Sequence, residues 1–426
     1  MRVSLLSLGC PKNSVDSENL LAGLLARGAT WTEDPEEADI MLVNTCGFIE
    51  DAKRESIEEI LRLSTLKDGG RKLLVFGCLA ERYREELRMT LPEVDAIYGV
   101  GQEEEIINYC AGTAPSREGA APPPAPEGPA AAFSYVKVAE GCDRLCTFCV
   151  IPSIRGRFRS LDPDQVLRTA EEKVRAGARE LVLVGQDVGG FGRDRKGYGG
   201  LPRLLREMAS ISGDFWIRLL YLYPTSVDDR LLEAIAGEDK VCKYVDMPLQ
   251  HSERGVLRDM GRGGSRRAHL SLIGRIRDAV PGVAIRTAVI VGFPGEGERE
   301  FRGLMDFVEE ARFEKLGVFK YSREEGTPAA GMRGQVAEKV KARRMEELME
   351  LQAGISLGHN RALVGRRMKV LVEEALPGGG AQGRIYSQAP EIDGVTHIEG
   401  RGIEACGFSE VVITAAEHYD LRAALP

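Results

Sequence analysis

Three cysteines lie close together in the middle of the chain, within the segment EGCDRLCTFCVIP. They are Cys142, Cys146 and Cys149, spaced C-x-x-x-C-x-x-C, and they follow a predicted β-strand. Three thiolates on one tight loop can hold three corners of a 4Fe–4S cluster, which leaves one iron free to bind another molecule. A zinc site is the alternative, but structural zinc usually takes four ligands, often as two spaced pairs. The loop therefore favours an iron–sulfur cluster.

A second group of cysteines is spread over the first 80 residues. Cys10, Cys46 and Cys78 each come one to three residues after an apolar strand, in LLSLGC, IMLVNTC and LLVFGC. A buried structural cysteine is common, so any one of them alone would carry little weight. In a parallel sheet, however, the carboxyl ends of the strands meet at one edge, where such folds bind ligands. The shared position predicts a second three-thiolate cluster site, again with an open iron.

The remaining cysteines have no comparable setting, and we expect them to be structural. They are Cys110, Cys242 and Cys406.

Polar and Gly/Pro-rich segments follow most of the strands predicted after residue 133. They cover residues 185–187, 223–224, 248–251, 292–296 and 321–322. Any one of them could be an ordinary turn, and His251 could be a structural histidine. As a set they predict a polar pocket beside the Cys142 loop, on the face where barrel enzymes place their sites.

The elements that position these residues fall into four parts, one of them a linker. In residues 1–110, strands at 2–6, 40–44, 72–76 and 96–98 alternate with helices, which predicts an α/β domain with a doubly wound parallel sheet. Residues 111–132 are almost entirely Pro, Ala and Gly, and we expect a semi-extended linker there.

Six strand–helix units follow in residues 133–362. Strands are predicted at 134–138, 180–184, 215–222, 244–247, 283–291 and 316–321, which makes a partial (β/α)6 relative of the eight-unit barrel. One helix is well marked, with Asp162 as its N-cap and Pro163 at its first position. A long packing helix is predicted at 337–360. Residues 363–426 contain short β-type runs with Gly-rich turns, which predict a small β-barrel.

The composition of the chain narrows the expected cellular location and binding partners. No apolar run approaches the roughly 20 residues of a bilayer-spanning helix, and the apolar stretch at the start is too short for a signal peptide. We therefore expect a cytoplasmic protein without a membrane partner, in which disulfides are disfavoured. The net charge of −8 argues against gripping nucleic acid through bulk positive charge.

The whole chain resembles the radical S-adenosylmethionine (SAM) methylthiotransferases. The Cys142 loop on a partial barrel is typical of radical SAM enzymes, and the preceding three-cysteine domain and the trailing TRAM-like barrel narrow the resemblance to this family. It implies two 4Fe–4S clusters, one held by Cys142, Cys146 and Cys149 and one by Cys10, Cys46 and Cys78. The first would bind and reductively cleave SAM, and the second would deliver a methylthio group.

Within the family, the motifs resemble the branch that modifies the β-carbon of an aspartate in small-subunit ribosomal protein S-twelve. They are SLGCPKNSVDSE, DMPLQH, RTAVIVGFPGE, YSREEGTPA and APEID. The tRNA branch typically has a Gln-Met pair where this chain has Pro11 and Lys12, and an Arg-Pro where it has Glu324 and Glu325. Residues 365–426 carry six Lys and Arg against nine Asp and Glu, which suits a basic protein partner better than RNA.

The resemblance also implies a SAM pocket and a low-potential electron donor of flavodoxin or ferredoxin type. The candidates for the pocket are Phe148, Gln186, Asp187, Gln250 and Glu296. The chain departs from the pattern at 188–192, where a Thr-Thr pair and then Tyr-Gly are expected, and at Gln388, where the branch usually has Asp.

Two other functions stay open at this stage. The first is the same chemistry on a tRNA adenosine, although tRNA is not the expected partner. The second is a non-catalytic iron–sulfur scaffold or electron carrier. A ferredoxin would have four cysteines per cluster, whereas this chain supplies three and three.

Overall fold

Apolar runs that are buried on both faces build a parallel sheet at the N-terminus. The fold is taken from a computed structural model, which describes residues 1–67, 70–112 and 132–426. In this part of the chain the N-terminal strands are β1 (Arg2–Ser7), β2 (Thr30–Trp31), β3 (Ile40–Thr45), β4 (Lys72–Gly77) and β5 (Ala96–Ile97). They pair in the order β2-β1-β3-β4-β5, all in parallel.

Helices cover both faces of this sheet. They are α1 (Pro11–Ala26), α2 (Glu50–Ser64), α3 (Cys78–Arg82), α4 (Arg84–Thr90) and α5 (Glu103–Ala111). Leu20 and Leu24 of α1 pack with Leu42 and Phe76 on one face, while Ile60 of α2 belongs to the core on the other. The predicted doubly wound domain is confirmed. The two-residue strand β2 is too short to give a pattern and was not predicted.

The middle of the chain forms the partial barrel. Its strands and the short pair beside the Cys142 loop are β6 (Phe133–Lys137), β7 (Ala139–Glu140), β8 (Arg159–Ser160), β9 (Glu180–Val184), β10 (Trp216–Leu219), β11 (Tyr244–Asp246), β12 (Ala284–Val291) and β13 (Lys315–Lys320). The order β6-β9-β10 continues through a bridge between Ile217 and Val241 into β11-β12-β13, with parallel pairing throughout. The expected six-strand arc is therefore present.

The helices of this part mostly lie outside the strands. They are α6 (Ile151–Arg155), α7 (Pro163–Arg175), α8 (Leu201–Ala209), α9 (Asp229–Gly237), α10 (Arg254–Asp259), α11 (Arg266–Ala279), α12 (Glu298–Ala311) and α13 (Glu338–Arg361). Asp162 caps α7 through its carboxylate, as predicted, by accepting hydrogen bonds from the amides of Asp164 and Gln165. The main core fills the layer between helices and strands.

One strand prediction is wrong at its carboxyl end. A strand was expected over 215–222, but β10 ends at Leu219 and Tyr221 has a φ of 60°. The amide of Tyr221 donates to Asp246 Oδ2 at 2.8 Å, and that of Leu222 donates to the carbonyl of Asp246 at 2.9 Å. These contacts with the next strand turn the chain away from the sheet.

The C-terminal part is a closed barrel of β14 (Arg367–Ala375), β15 (Ala381–Ile385), β16 (Thr396–Glu399), β17 (Gly407–Ala416) and β18 (Leu421–Ala424). It docks on the inner face of the partial barrel, where Ala389 and Leu371 share a core with Val182 and Tyr244. A buried Glu180 carboxylate lies between Arg218 and Arg384 and joins the two barrels.

The linker predicted at 111–132 lies largely outside the described residues. Among the described residues, none of the helices combines the length and apolar character needed to cross a lipid bilayer.

Candidate functional site

The three N-terminal cysteines lie at the carboxyl edge of the first sheet. Cys10 follows β1 at the start of α1, Cys46 follows β3, and Cys78 follows β4 as the first residue of α3. Each position is therefore set by the end of a neighbouring parallel strand, as the sequence predicted. We refer to Cys10, Cys46 and Cys78 as the N-terminal cysteine set.

Asn13 brings two of these thiols to a common point. Its Oδ1 lies 3.9 Å from Cys10 Sγ and 3.7 Å from Cys78 Sγ. Its Nδ2 donates hydrogen bonds to the carbonyls of Leu8 at 2.9 Å and Thr45 at 3.1 Å, which fix the amide between the strand ends. Asn13 is fully buried, so its orientation is determined by the sheet edge itself.

Cys46 joins the set through a close approach to Gly9. Gly9 has a φ of +93°, and a Cβ at this position would stand 2.6 Å from Cys46 Cβ and 2.9 Å from its Sγ. Only glycine accepts both this conformation and this contact. The glycine of the LGC motif is therefore required for the first and second cysteines to meet.

Burial and nearby cations act in opposite directions on these thiols. Burial raises the pKa of Cys46, and it raises the pKa of Cys78 to about 11 although Arg155 opposes it. At Cys10 burial also opposes ionisation, but Lys12, a backbone hydrogen bond and Arg155 together lower the pKa. Burial thus favours the neutral thiols of Cys46 and Cys78, whereas the nearby cations favour the thiolate of Cys10.

The other three cysteines occupy a loop after β7 that the barrel holds firmly. The amide of Cys142 donates to the carbonyl of Gly156 at 3.0 Å. Thr147 is fixed on both sides, since its amide donates to the carbonyl of Met260 at 3.0 Å and its carbonyl accepts from Ala329 at 2.9 Å. We refer to Cys142, Cys146 and Cys149 as the barrel cysteine set.

A hydrogen-bond donor approaches each sulfur of the barrel cysteine set. Burial raises the pKa of Cys149 to about 12, so this thiol needs a bound metal or such donors to become a thiolate. Donors to cluster sulfurs are also one of the features by which a protein tunes a cluster's reduction potential. The donors are the Arg144 amide, 3.4 Å from Cys142; Arg262 Nη1, 3.6 Å from Cys146; and the Ile151 amide, 3.5 Å from Cys149.

Both sets fit a cluster by their donors. In the described part of the chain, no group of three or more His, Cys, Asp or Glu side chains is arranged to hold a metal ion. Each set instead offers three thiols, the ligand type that iron–sulfur clusters use, spread over several iron atoms.

Helix α6 connects the two sets. It begins directly after Cys149 and Val150, and Val150 and Ile154 pack against Cys78. At its end, the buried Arg155 donates to Asn13 Oδ1 at 2.7 Å and pairs with Asp16 at 3.0 Å. Five residues of helix thus separate the loop of one set from the thiols of the other.

The residues proposed for the SAM pocket divide into two groups. Gln186 and Asp187 follow β9 and Gln250 follows β11, while Phe148 lies in the Cys142 loop and packs edge-on against Phe293 with ring centres 6.4 Å apart. Gln186 Oε1 and Asp187 Oδ1 are buried without a hydrogen-bond partner in the described residues. Such atoms are expected where a polar ligand binds.

Glu296 has a different position. Its carboxylate accepts from the amides of Gly292 at 2.9 Å and Phe293 at 3.4 Å and pairs with Arg344 at 2.9 Å. Glu296 is 3% exposed, so it stabilises the 292–296 turn from the protein interior. His251 also belongs to this interior, since its Nδ1 accepts from the amide of Glu253 at 3.0 Å.

The departures at 188–192 and 388 are accommodated by packing. Val188 and Phe191 are buried in the main core, and a Cβ on Gly189 would stand 2.5 Å from Ser226 Cβ. Gln388 is buried, and its Oε1 accepts from the amide of Ile385 at 3.0 Å.

Several residues of the site were not predicted from the sequence. Arg155 and Glu140 are ion-paired between the two sets, and Lys12 lies 3.7 Å above the Tyr221 ring. Their contacts join segments far apart in the chain, so no local pattern marks them. Asn13 had a usable signal, because it lies on the first turn of the helix that Cys10 begins.

Comparison with known proteins assigns each part of this architecture. Residues 2–99 match the uncharacterized protein family UPF0004, residues 136–308 the radical SAM superfamily, and residues 364–425 the TRAM domain. Two proteins named ribosomal protein uS12 methylthiotransferase RimO align along almost their whole length. That of Thermodesulfovibrio yellowstonii is 46% identical over 427 residues, covering 98% of both chains. That of Geotalea uraniireducens is 44% identical over 439 residues, covering 99% of this chain and 97% of the relative.

Solved structures support the fold. The radical SAM methyltransferase TsrM from Kitasatospora setae superposes with a TM-score of 0.55 at 15% identity, over 77% of this chain and 76% of that one. The cobalamin-dependent radical SAM enzyme OxsB gives a TM-score of 0.54 at 12% identity, over 82% of this chain and 56% of that one. At these identities the likeness concerns the fold alone.

Proposed function

Since the chain belongs to the RimO family of ribosomal protein uS12 methylthiotransferases, we propose that it transfers a methylthio group to an aspartate β-carbon of uS12, the small-subunit protein S-twelve. It is a radical SAM enzyme that uses SAM and 4Fe–4S clusters. The tRNA reaction is not favoured, because the two relatives described above align over almost their full length and carry the ribosomal-protein name.

One observation carries this proposal. Two sets of three thiols approach each other across α6, with Val150 and Ile154 of the barrel packed on Cys78 of the N-terminal domain. A scaffold or electron carrier has no need for two clusters that each lack a fourth protein ligand. A substrate group placed between the sets could be activated from one side and receive sulfur from the other.

The cysteine sets are the proposed cluster ligands. Cys10, Cys46 and Cys78 would hold one cluster, and Cys142, Cys146 and Cys149 would hold the other. When bound, the clusters supply the low-potential electron for SAM cleavage and an open iron for the sulfur that is transferred. The chain's own part is to place the thiols at the ends of strands and in the Cys142 loop, with Cys46 and Cys78 buried, and to supply hydrogen-bond donors to the barrel cysteine set.

The proposed SAM pocket uses the ends of the barrel strands. Phe148 offers an aromatic face, and the unpartnered oxygens of Gln186 and Asp187 are acceptors for the amino and hydroxyl groups that SAM presents. Gln250 has a positive φ of 74° and is held by backbone hydrogen bonds with Ala288 and Ile290 of β12. For Glu296 we propose a positioning role, because its carboxylate is used by the turn and by Arg344.

The remaining proposals concern the protein partners, the cellular location and the division of the chain into domains. A basic ribosomal protein suits the acidic C-terminal barrel, in which Asp and Glu outnumber Lys and Arg. We propose a flavodoxin- or ferredoxin-type protein as the electron donor, and a cytoplasmic location because small ribosomal subunits are there. The proposed parts are residues 1–110, the linker 111–132, residues 133–362 and residues 363–426.

The test supplies the enzyme with both kinds of substrate at once. Anaerobically reconstituted protein is given reductant, sulfide, SAM, uS12 and bulk tRNA, and both substrates are analysed by mass spectrometry for a methylthio adduct. We expect an adduct on one aspartate of uS12 and none on tRNA. The control variant Cys110→Ala removes a thiol outside both sets and should leave the yield unchanged.

The other outcomes identify the alternatives. An adduct on tRNA alone would replace the substrate and keep the chemistry. Absence of both the adduct and 5′-deoxyadenosine would indicate a scaffold or carrier and would refute the proposal.

A further inference from the structure

A lysine of the N-terminal domain reaches into the mouth of the barrel. Lys12 comes two residues after Cys10, in the first turn of α1, and is only 8% exposed. Its Nζ lies 3.7 Å from the centre of the Tyr221 ring, and Tyr221 follows β10 at the carboxyl end of the barrel. The ammonium group therefore lies at the junction of the two domains that carry the cysteine sets.

Among the described residues, Lys12 forms no ion pair with a carboxylate, and the anion that it stabilises is the Cys10 thiolate. In the described part of the chain, no carboxylate or thiol lies within ion-pair or hydrogen-bonding distance of Lys12 Nζ, although every other buried cation at this junction is paired. Lys137 bonds to Asp16 and Glu140, and Arg155 pairs with the same two acids. Burying an unpaired ammonium group is costly, and stacking on a tyrosine offsets only part of that cost.

The ring beneath the ammonium group is held in an uncommon backbone conformation. Tyr221 has a φ of 60°, which is rare for a bulky residue, and the Asp246 carboxylate fixes it by accepting from the Tyr221 amide at 2.8 Å. Strained residues of this kind cluster at ligand-binding sites. Lys12 of the N-terminal domain, which lacks a carboxylate partner among the described residues, thus meets Tyr221 of the barrel, whose backbone is strained.

We propose that Lys12 binds the side-chain carboxylate of the substrate aspartate. This inference rests on the proposed function and deepens it by naming the group that recognises the substrate. The β-carbon that receives the methylthio group is bonded directly to that carboxylate. A carboxylate on Lys12 therefore holds the reacting carbon one bond away, beside Cys10 and at the barrel mouth.

The choice of Lys12 over the neighbouring cations follows from their contacts. Arg155 is already engaged by Asn13, Asp16 and Glu140, and Arg144 pairs with Asp187 at 2.9 Å. Lys12 is also one of the positions at which the sequence differs from the tRNA branch, whose substrate base has no carboxylate.

The test is a binding cycle that does not require turnover. Peptides of uS12 are made around the aspartate found to be modified, with Asp or with Asn at that position, and their dissociation constants are measured by fluorescence anisotropy. The wild type should prefer the Asp peptide by about tenfold to a hundredfold, as expected for a charge-assisted hydrogen bond. Lys12→Met, which is nearly isosteric and uncharged, should lose this preference.

Two further variants keep the result interpretable. Lys12→Arg retains the charge and should keep the preference for Asp. Lys72→Met removes another lysine stacked on a tyrosine, 4.8 Å from the Tyr109 ring, and should also keep it. The readout is the ratio of two affinities, so a variant with lower iron content still gives an answer.

The outcomes separate this inference from the proposed function. Retention of the Asp preference in Lys12→Met, or its equal loss in Lys72→Met, overturns the role of Lys12. Failure of the wild type to modify any aspartate of uS12 overturns the proposed function itself.

Discussion

Replacement of Glu324 by glutamine should loosen the N-terminal domain from the barrel. Glu324 follows β13 and is 2% exposed. Its carboxylate accepts from Arg82 Nη1 of α3 at 2.8 Å and pairs with Lys53 of α2 at 3.1 Å. Glu324 and Glu325 form the pair at which the sequence differs from the pattern expected for the tRNA branch. In the structure, Glu324 joins the barrel to two helices of the N-terminal domain.

The size of the effect depends on the hydrogen-bond and ion-pair partners that Arg82 and Lys53 keep after Glu324 is replaced. Removing one partner of a buried ion pair costs about 3–5 kcal/mol. Arg82 keeps the carbonyls of Gly47 at 3.0 Å and Glu325 at 2.9 Å, and Lys53 keeps Glu50 at 2.7 Å. We therefore expect the lower end, about 3 kcal/mol, which shifts the docked-to-undocked equilibrium roughly a hundredfold.

Hydrogen exchange and product analysis measure this effect. Amides in residues 47–53 and 322–327 should exchange faster in Glu324→Gln, since the contact of the Glu50 amide with Ser322 Oγ crosses the same interface. Methylthio transfer should fall while substrate-free 5′-deoxyadenosine formation persists. Glu309→Gln makes the same charge change on an exposed side chain of α12 and is the control. Equal exchange in the two variants would refute the docking role of Glu324.

Acid should weaken the same contact. Burial opposes ionisation of Glu324, but hydrogen bonds from Ser322, Arg82 and Lys53 lower its pKa overall. A carboxylate with a lowered pKa stabilises the docked form above its unfolded pKa of about 4.3, and this contribution is lost as the pH falls through the folded value.

Three further predictions concern packing and stability. Gly189→Thr should destabilise the barrel by about 1–3 kcal/mol through overpacking on Ser226, and adding Ser226→Gly should recover most of the loss in urea unfolding. Glu180→Gln should cost about 3–5 kcal/mol in the same assay, because it leaves the buried Arg218 without a carboxylate, while Arg384 of the C-terminal barrel keeps Glu373; unchanged stability would contradict that role. Burial, with Arg262, lowers the pKa of His269 to about 4, so stability should fall by about 2 kcal/mol from pH 6.5 to pH 5 as the unfolded state gains a proton, and His269→Gln should reduce this loss.

Local patterns were sufficient to predict the fold and the places of the six cysteines. The rule that parallel strands end at one edge placed Cys10, Cys46 and Cys78 together, because each follows a buried strand. The spacing of the Cys142 loop, the N-cap at Asp162 and the alternation of strands with helices are likewise local features.

Local sequence patterns could not predict the contacts between domains. Arg155 meets Asn13 across 142 positions of the chain, and Arg82 meets Glu324 across 242. These residues become partners only when complete domains dock. The hydrophobic periodicity of the sequence gives no information about that docking. The interior position of Glu296 was missed for a related reason, since its partner Arg344 comes from the distant helix α13. The positive φ of Tyr221 also depends on the neighbouring strand, through Asp246.

The most direct test of the two-site account is the iron content of variants that lack one set. The reconstituted wild type should bind about eight iron atoms per chain, and removal of either set by Cys→Ala substitution should leave about four. The variant without Cys10, Cys46 and Cys78 should still produce 5′-deoxyadenosine, whereas the variant without Cys142, Cys146 and Cys149 should produce none. Loss of all iron from both variants, or unchanged 5′-deoxyadenosine formation without the barrel cysteine set, would contradict the account.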